Sequence, residues 1–225
     1  MTKFIIFGLN GVLVDINKIH FDALNRALVE NGYSEIGDYS QETITYDGLT
    51  TKLKLDMMDI PEDVQDKIFD SKQKHTFVAL RTVKRNHDIL DLFEQLRWDG
   101  YTIGVCSYDT EKIVDNILDQ MLLSPYLSIR LCGVDMKNPK PHPEIYWEAM
   151  SEIGSLPRET VIIENSNSGL ESAIRSGAYV VPVSSPEEVD VYLIDVATAA
   201  AELFKSYGQR QHGGLYAGRG RDRFS

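Results

Sequence analysis

Lys3-Phe4-Ile5-Ile6-Phe7-Gly8-Leu9-Asn10-Gly11-Val12-Leu13-Val14-Asp15 is the stretch that sets the architecture. A short apolar run over 3–7 stops at a glycine and turns through Asn10-Gly11. It then hands over at Asp15 to a segment with Ile19, Ala23, Leu24, Ala27 and Leu28 on one helix face, over 16–31. Asp15 is expected to be the N-cap of that helix. A strand, a glycine turn and a helix make the opening unit of a parallel sheet. The pattern then recurs: β-branched runs at 101–106, 127–132, 160–164 and 179–183 alternate with helix-period segments at 110–121, 143–153 and 168–176. Each of these links is short enough for a right-handed crossover.

More than ninety residues separate the first run from the second. That gap holds the helix at 16–31 and further helical patterns at 51–58, 62–83 and 87–97. The expected class is therefore α/β: a three-layer, Rossmann-like parallel sheet core with an inserted all-helical cap domain. Residues 1–15 and 85–205 form the core, and 16–84 form the cap.

A composition of 43% hydrophobic and 25% charged residues rules out disorder throughout, and a chain of 225 residues buries a core without disulfides or a structural metal. Cys106 and Cys132 lie in apolar, strand-like runs and read as buried thiols of a reducing compartment. The N-terminal apolar run is too short for a signal segment or a membrane span, so a cytoplasmic protein without membrane contact is expected. Net charge is −11, which argues against nucleic-acid binding by the main body. Residues 206–225 carry Arg210, Arg219, Arg221 and Arg223 against Asp222, a net +3 that leaves −14 on residues 1–205. With five of the 16 glycines and no apolar period, this basic Gly/Arg-rich segment reads as a tail from about Gly208. It would serve a protein partner or self-association.

In an open parallel sheet, ligands bind beyond the carboxyl ends of the strands, so the residues just past each run are the informative ones. They are Gly8–Asp15 as quoted above, Ser107-Tyr108-Asp109, the turn Lys137-Asn138-Pro139-Lys140-Pro141-His142-Pro143-Glu144, and Glu164-Asn165-Ser166-Asn167-Ser168-Gly169. In this order, with an insert after the first, they resemble the haloacid dehalogenase-like superfamily in its β-phosphoglucomutase-like branch, which carries a helical cap. The resemblance covers about residues 1–185, and its most specific parts are Gly11–Asp15, Lys140–Tyr146 and Val161–Gly169. The segment Tyr46-Asp47-Gly48-Leu49-Thr50-Thr51-Lys52-Leu53 looks like the family's cap loop, which makes Gly48, Leu49, Thr50, Thr51 and Lys52 its specificity residues.

The resemblance implies a phosphatase or phosphomutase whose first strand ends in Asp-x-Asp, a nucleophile and an acid/base. Here those positions are Gly8 and Asn10. Glycine cannot attack phosphorus, and an amide has no proton to exchange at neutral pH. The family's Mg²⁺ site is reduced to Glu164 and Asn165, a weak or absent site for a cation that wants several hard oxygens. The phosphate-binding half survives: Ser107 matches the family's hydroxyl, Lys140 its cation, Tyr108 stands beside them, and the Asn10-Gly11 backbone could form a small anion nest. Glu164 either caps the following helix or pairs with Lys140. His20 reads as a half-buried packing residue, and Asp109 and Asp135 as turn acids with no partner in view. The leading expectation is a catalytically inactive member retained for phosphate-ligand binding, regulation or assembly. The alternative is an active Mg²⁺-dependent phosphohydrolase or phosphomutase of small phosphorylated metabolites, and a third is a structural protein using its basic tail.

Overall fold

The computed structural model describes residues 4–40, 46, 49–133 and 136–216. Lys3, Asp47, Gly48, Asp135 and residues 217–225 lie outside the described residues. The elements in chain order are β1 (Phe4–Phe7), α1 (Asn17–Glu30), α2 (Thr51–Met57), α3 (Glu62–Ala79), α4 (His87–Trp98), β2 (Thr102–Ser107), α5 (Glu111–Gln120), β3 (Ile129–Cys132), α6 (Glu144–Ile153), β4 (Thr160–Glu164), α7 (Asn167–Ser176), β5 (Tyr179–Pro182) and α8 (Val191–Tyr216). All strand pairs are parallel, in the order β3-β2-β1-β4-β5. β1 is therefore central, and that is why its four residues are all buried.

Alternation along the strands builds the three layers. Ile5 and Phe7 of β1, Ile103 and Val105 of β2, and Val161 and Ile163 of β4 face one way, onto α4, α5 and α8. Phe4, Ile6, Cys106 and Ile162 face the other way, onto Ile145, Tyr146, Ala149 and Met150 of α6 and Ala173 of α7. A separate apolar cluster of Leu24, Ala27, Leu28, Leu55, Ile60 and Ile68 holds α1, α2 and α3 together on their own. Both cysteines are buried, and neither is in a disulfide.

One local expectation is corrected. Asp15 is not the N-cap of α1; Ile16 holds that position, and the Asp15 carboxylate accepts the Asn17 N–H from one residue earlier, at 3.0 Å. An acceptor one step outside the cap still satisfies a first-turn donor that helix geometry leaves open. At the other end the backbone of α8 stays helical to Tyr216, past the tail start expected at Ser206–Gly208. Extending a formed helix adds a hydrogen bond per residue without a new nucleation cost, so an apolar period is not required for the backbone to continue.

Candidate functional site

Gly8 and the ends of β2 and β4 meet at one edge of the sheet, where the Gly8 N–H donates to the Ile163 carbonyl at 2.9 Å. The turn that follows is closed on itself. The N–H groups of Val12, Leu13 and Val14 all reach the Leu9 carbonyl, and the Gly11 N–H donates to the Val14 carbonyl at 2.7 Å. The Gly11 N–H is therefore spent inside the turn and does not face an anion, which corrects the nest expected there. Gly11 has φ +79°, and the Asn165 amide packs so close that a Cβ at Gly11 would lie 1.9 Å from its Nδ2. Only glycine fits this backbone and this neighbour.

Asn10 has a structural task that the spacing did not reveal. Its Oδ1 accepts the Ile16 N–H at 3.0 Å and its Nδ2 donates to Asn17 Oδ1 at 2.8 Å. One amide thus uses an acceptor and a donor at once to pin the start of α1, a combination that an ionised carboxylate lacks.

Glu164 is buried at the end of β4 and its carboxylate is fully engaged. Oε2 accepts from Lys140 Nζ at 2.6 Å and from the Tyr146 hydroxyl at 2.8 Å. Oε1 accepts the Asn165 N–H at 2.9 Å and both the N–H and the hydroxyl of Ser166 at 3.2 Å. Burial alone would raise the carboxyl, but Lys140, Tyr146 and the Asn165 N–H outweigh it and hold Glu164 below the ordinary carboxylate range. Of the two expected roles, the ion pair with Lys140 is the one observed, while Ser166 caps α7 by accepting the Gly169 N–H. Lys140 Nζ also sits 5.3 Å from the Tyr108 ring and 5.7 Å from the Tyr146 ring. Burial pushes the Tyr108 hydroxyl up to about 12, so it remains a donor, to the Asn138 carbonyl.

Magnesium asks for several unspent hard oxygens. Glu164 has both carboxylate oxygens committed, Asn165 is packed on Gly11, and Gly8 supplies nothing. The residues present do not fit the metal that the family motif implies.

A second charged group, unforeseen as a group, lies beside Ser107. His20 of α1 places Nε2 at 3.1 Å from Asp109 Oδ1, and the two side chains are each only 15% exposed. Asp109 therefore has a partner, and His20 is more than a packing residue; its Nδ1 is buried without a hydrogen-bond partner. The Ser107 hydroxyl accepts the Asp109 N–H at 3.2 Å and lies 3.3 Å from its carboxylate. Burial raises the Asp109 carboxyl, but His20, Lys72 and Ser107 together hold it at about 2, against an ordinary 3.8. A depressed carboxyl contributes stability that is present above its unfolded value and lost as pH falls through its folded value. The stability gap between the native chain and Asp109→Asn is thus expected to shrink by on the order of 2 kcal/mol between about pH 5 and pH 2. Urea unfolding across that range measures it, and a gap that stays constant would mean that no such pairing exists in solution.

The cap supplies the opposite wall. Thr50 caps α2 by accepting the Leu53 N–H, Thr51 Oγ1 accepts from Lys72 Nζ at 3.0 Å, and Lys52 lies 3.7 Å from Glu62. Leu49, Thr50, Thr51 and Lys52 border the same cavity of about 540 Å³ as Gly8, Asn10, Ser107, Tyr108, Lys140, Glu164 and Asn165. Gly48 lies outside the described residues. Around this cavity stand Lys52, Lys54, Lys72, Lys140 and His20 against Asp66, Asp109 and Glu164. The walls are thus richer in basic groups than the −14 body that encloses them.

Comparison with known proteins places this architecture. A family model described as haloacid dehalogenase-like hydrolase matches residues 5–183. A phosphorylated carbohydrates phosphatase of Thermotoga maritima is 24% identical over 177 residues, covering 77% of this chain and 81% of that protein. A phosphoglycolate phosphatase of Aquifex aeolicus is 24% identical over 176 residues, covering 78% and 81%. Among solved structures, β-phosphoglucomutase from Clostridium difficile superposes with a TM-score of 0.74 at 16% identity, over 90% of this chain and 100% of that one. CbbY from Rhodobacter sphaeroides in complex with phosphate gives 0.71 at 19% identity, over 85% and 91%.

Proposed function

The chain belongs to the haloacid dehalogenase-like hydrolase family, and from that premise we propose that it uses a phosphatase fold to hold a small anionic, phosphorylated ligand without turning it over. The observation that carries this reading is the state of Glu164. The carboxylate that remains of the set the family motif implies is clasped by Lys140 and Tyr146, beside a Gly8 that offers no nucleophile and an Asn10 that offers no proton. Phosphoryl transfer needs an attacking group and a proton donor, and an aspartyl phosphate cannot form on glycine. Binding needs less. A cavity of about 540 Å³ suits a small metabolite, and its lysines favour negative charge. Relatives named as phosphatases of phosphorylated carbohydrates and of phosphoglycolate support that ligand class.

The chain's own groups divide the work. Lys72 and Lys140, each steadied by a neighbouring oxygen, present positive charge from the cap wall and the core wall. Ser107 is held in place by Asp109, and the segment from Leu49 to Lys52 closes the side away from the sheet. Two buried cysteines outside any disulfide, and no helix among the described residues long and apolar enough to cross a membrane, suit the cytoplasmic setting proposed for it.

The test pairs turnover with binding. With excess Mg²⁺ and 4-nitrophenyl phosphate, the chain is expected to release no phosphate above the blank. The same compound should raise the unfolding temperature, and Lys72→Gln should remove most of that rise. Steady turnover that disappears in a folded Asp109→Asn variant would overturn the proposal and establish an active phosphohydrolase with a relocated carboxylate.

A further inference from the structure

Helix α8 has two unlike faces. Its inner face, with Ile194, Ala197 and Ala201, is buried against the sheet. Its outer face carries Tyr192 (76% exposed), Val196 (50%) and Leu203 (68%), with exposed Ala199 between them. These four follow the spacing i, i+4, i+7, i+11, the seam by which one helix packs along another. They form a continuous apolar strip about 16 Å long. A solvated helix face usually carries charge, but from Tyr192 to Leu203 the charged residues are Asp195 and Glu202, both to one side of the strip.

What lies at the two ends of the strip names its occupant. Just before α8 the surface is acidic, with exposed Glu187, Glu188 and Asp190. After the strip the chain turns basic, with Lys205 and then Arg210, Arg219, Arg221 and Arg223. A parallel pair of such helices would set acid beside acid and base beside base. An antiparallel pair would bring the C-terminal end of each α8, after which the sequence is basic, to the acidic turn of the other. Its register sets Tyr192 level with Leu203 and Val196 level with Ala199, the symmetric arrangement that a two-fold axis requires. We propose that this strip is a self-association surface through which two copies of the chain pair antiparallel along α8. The contact is independent of the cavity, so it stands whether or not the ligand reading holds. Four side chains fall short of the about 800 Å² per partner of a standard interface, so the charged segments must contribute and the dimer should depend on salt.

Sedimentation velocity on the full chain tests this at about 20 mM and about 500 mM salt, where charge attraction is weakly and strongly screened. The expected result is a monomer–dimer equilibrium that weakens at least tenfold at high salt, with monomer alone for Val196→Asp/Leu203→Glu at both. Both sites are exposed, so circular dichroism should show that variant to be folded. Deleting residues 206–225 should weaken the dimer and reduce its salt dependence while leaving the unfolding temperature nearly unchanged. Orientation is read by oxidising a mixture of Tyr192→Cys and Leu203→Cys chains, since the native thiols are buried. Cross-links between unlike chains are expected. A monomer under all conditions, a dimer indifferent to the double substitution, or cross-links only between like chains would each overturn the proposal.

Discussion

Glu164→Ala is expected to lower the unfolding free energy by about 3–5 kcal/mol, because it leaves the Lys140 ammonium buried without its counter-charge. The Lys140 and Glu164 side chains are 11% and 3% exposed, and the bond between them is 2.6 Å. The same change strips the Tyr146 hydroxyl and the Asn165 and Ser166 N–H groups of their acceptor. For a chain of this size the loss corresponds to a fall in unfolding temperature of about 10 °C. Replacing both charges by apolar residues, as in Lys140→Met/Glu164→Leu, should recover part of it, since removing a buried pair costs less than orphaning one member. Space is tight: a Cβ at Gly169 would lie 2.3 Å from Glu164 Cδ. Calorimetric unfolding of the three proteins is the measurement. A loss below about 1 kcal/mol in Glu164→Ala would mean that water replaces the pair and that Lys140 is free to meet a ligand unaided.

On the reading proposed above, building phosphoryl transfer into this site should take more than a nucleophile. The loss of a nucleophile typically costs about 10⁴–10⁶ in rate, and the groups of such a site act as a unit. Gly8→Asp alone is therefore expected to remain at background. Its Cβ would meet Val12 Cγ2 at 2.9 Å and Glu164 Oε2 at 3.4 Å, which sets a second carboxylate beside one already paired with Lys140. Asn10→Asp keeps the acceptor for Ile16 but turns the 2.8 Å bond to Asn17 into a contact between two oxygens, at a cost in the anchoring of α1. The variant expected to gain Mg²⁺-dependent turnover is Gly8→Asp/Asn10→Asp/Asn165→Asp, which rebuilds nucleophile, acid and metal ligand together. Its signature would be a hydroxylamine-labile acyl phosphate on the protein alongside phosphate release. Full activity from Gly8→Asp alone would show that the rest of the machinery is intact, against the reading given above.

Much of this molecule was legible in one dimension. The β-branched apolar runs and helical patterns, the glycine after 3–7 and the long gap before 101 specified a parallel sheet with a helical insert, because those signals are local consequences of buried-strand and helix geometry. The motif residues past each strand also marked the sheet edge where Gly8, Ser107, Lys140 and Glu164 border one cavity, because parallel strands point their carboxyl ends the same way. That Gly8 carries no nucleophilic side chain and Asn10 no acidic one is likewise a property of residue identity, readable without coordinates. How the remaining polar groups share their partners is not. His20 and Asp109 meet only because the fold sets α1 beside the turn after β2, and no spacing rule joins positions so far apart. The Gly11 N–H was a candidate anion donor until the turn folded onto the Val14 carbonyl, and Asn10 proved to be a tether for α1. Glu164 could cap a helix or pair with a cation until packing brought Lys140 and Tyr146 to the same oxygen. Local conformation follows from steric and periodic preferences of neighbouring residues, whereas a buried charge takes whichever partner the fold delivers within about 3 Å, a choice that only the tertiary structure makes.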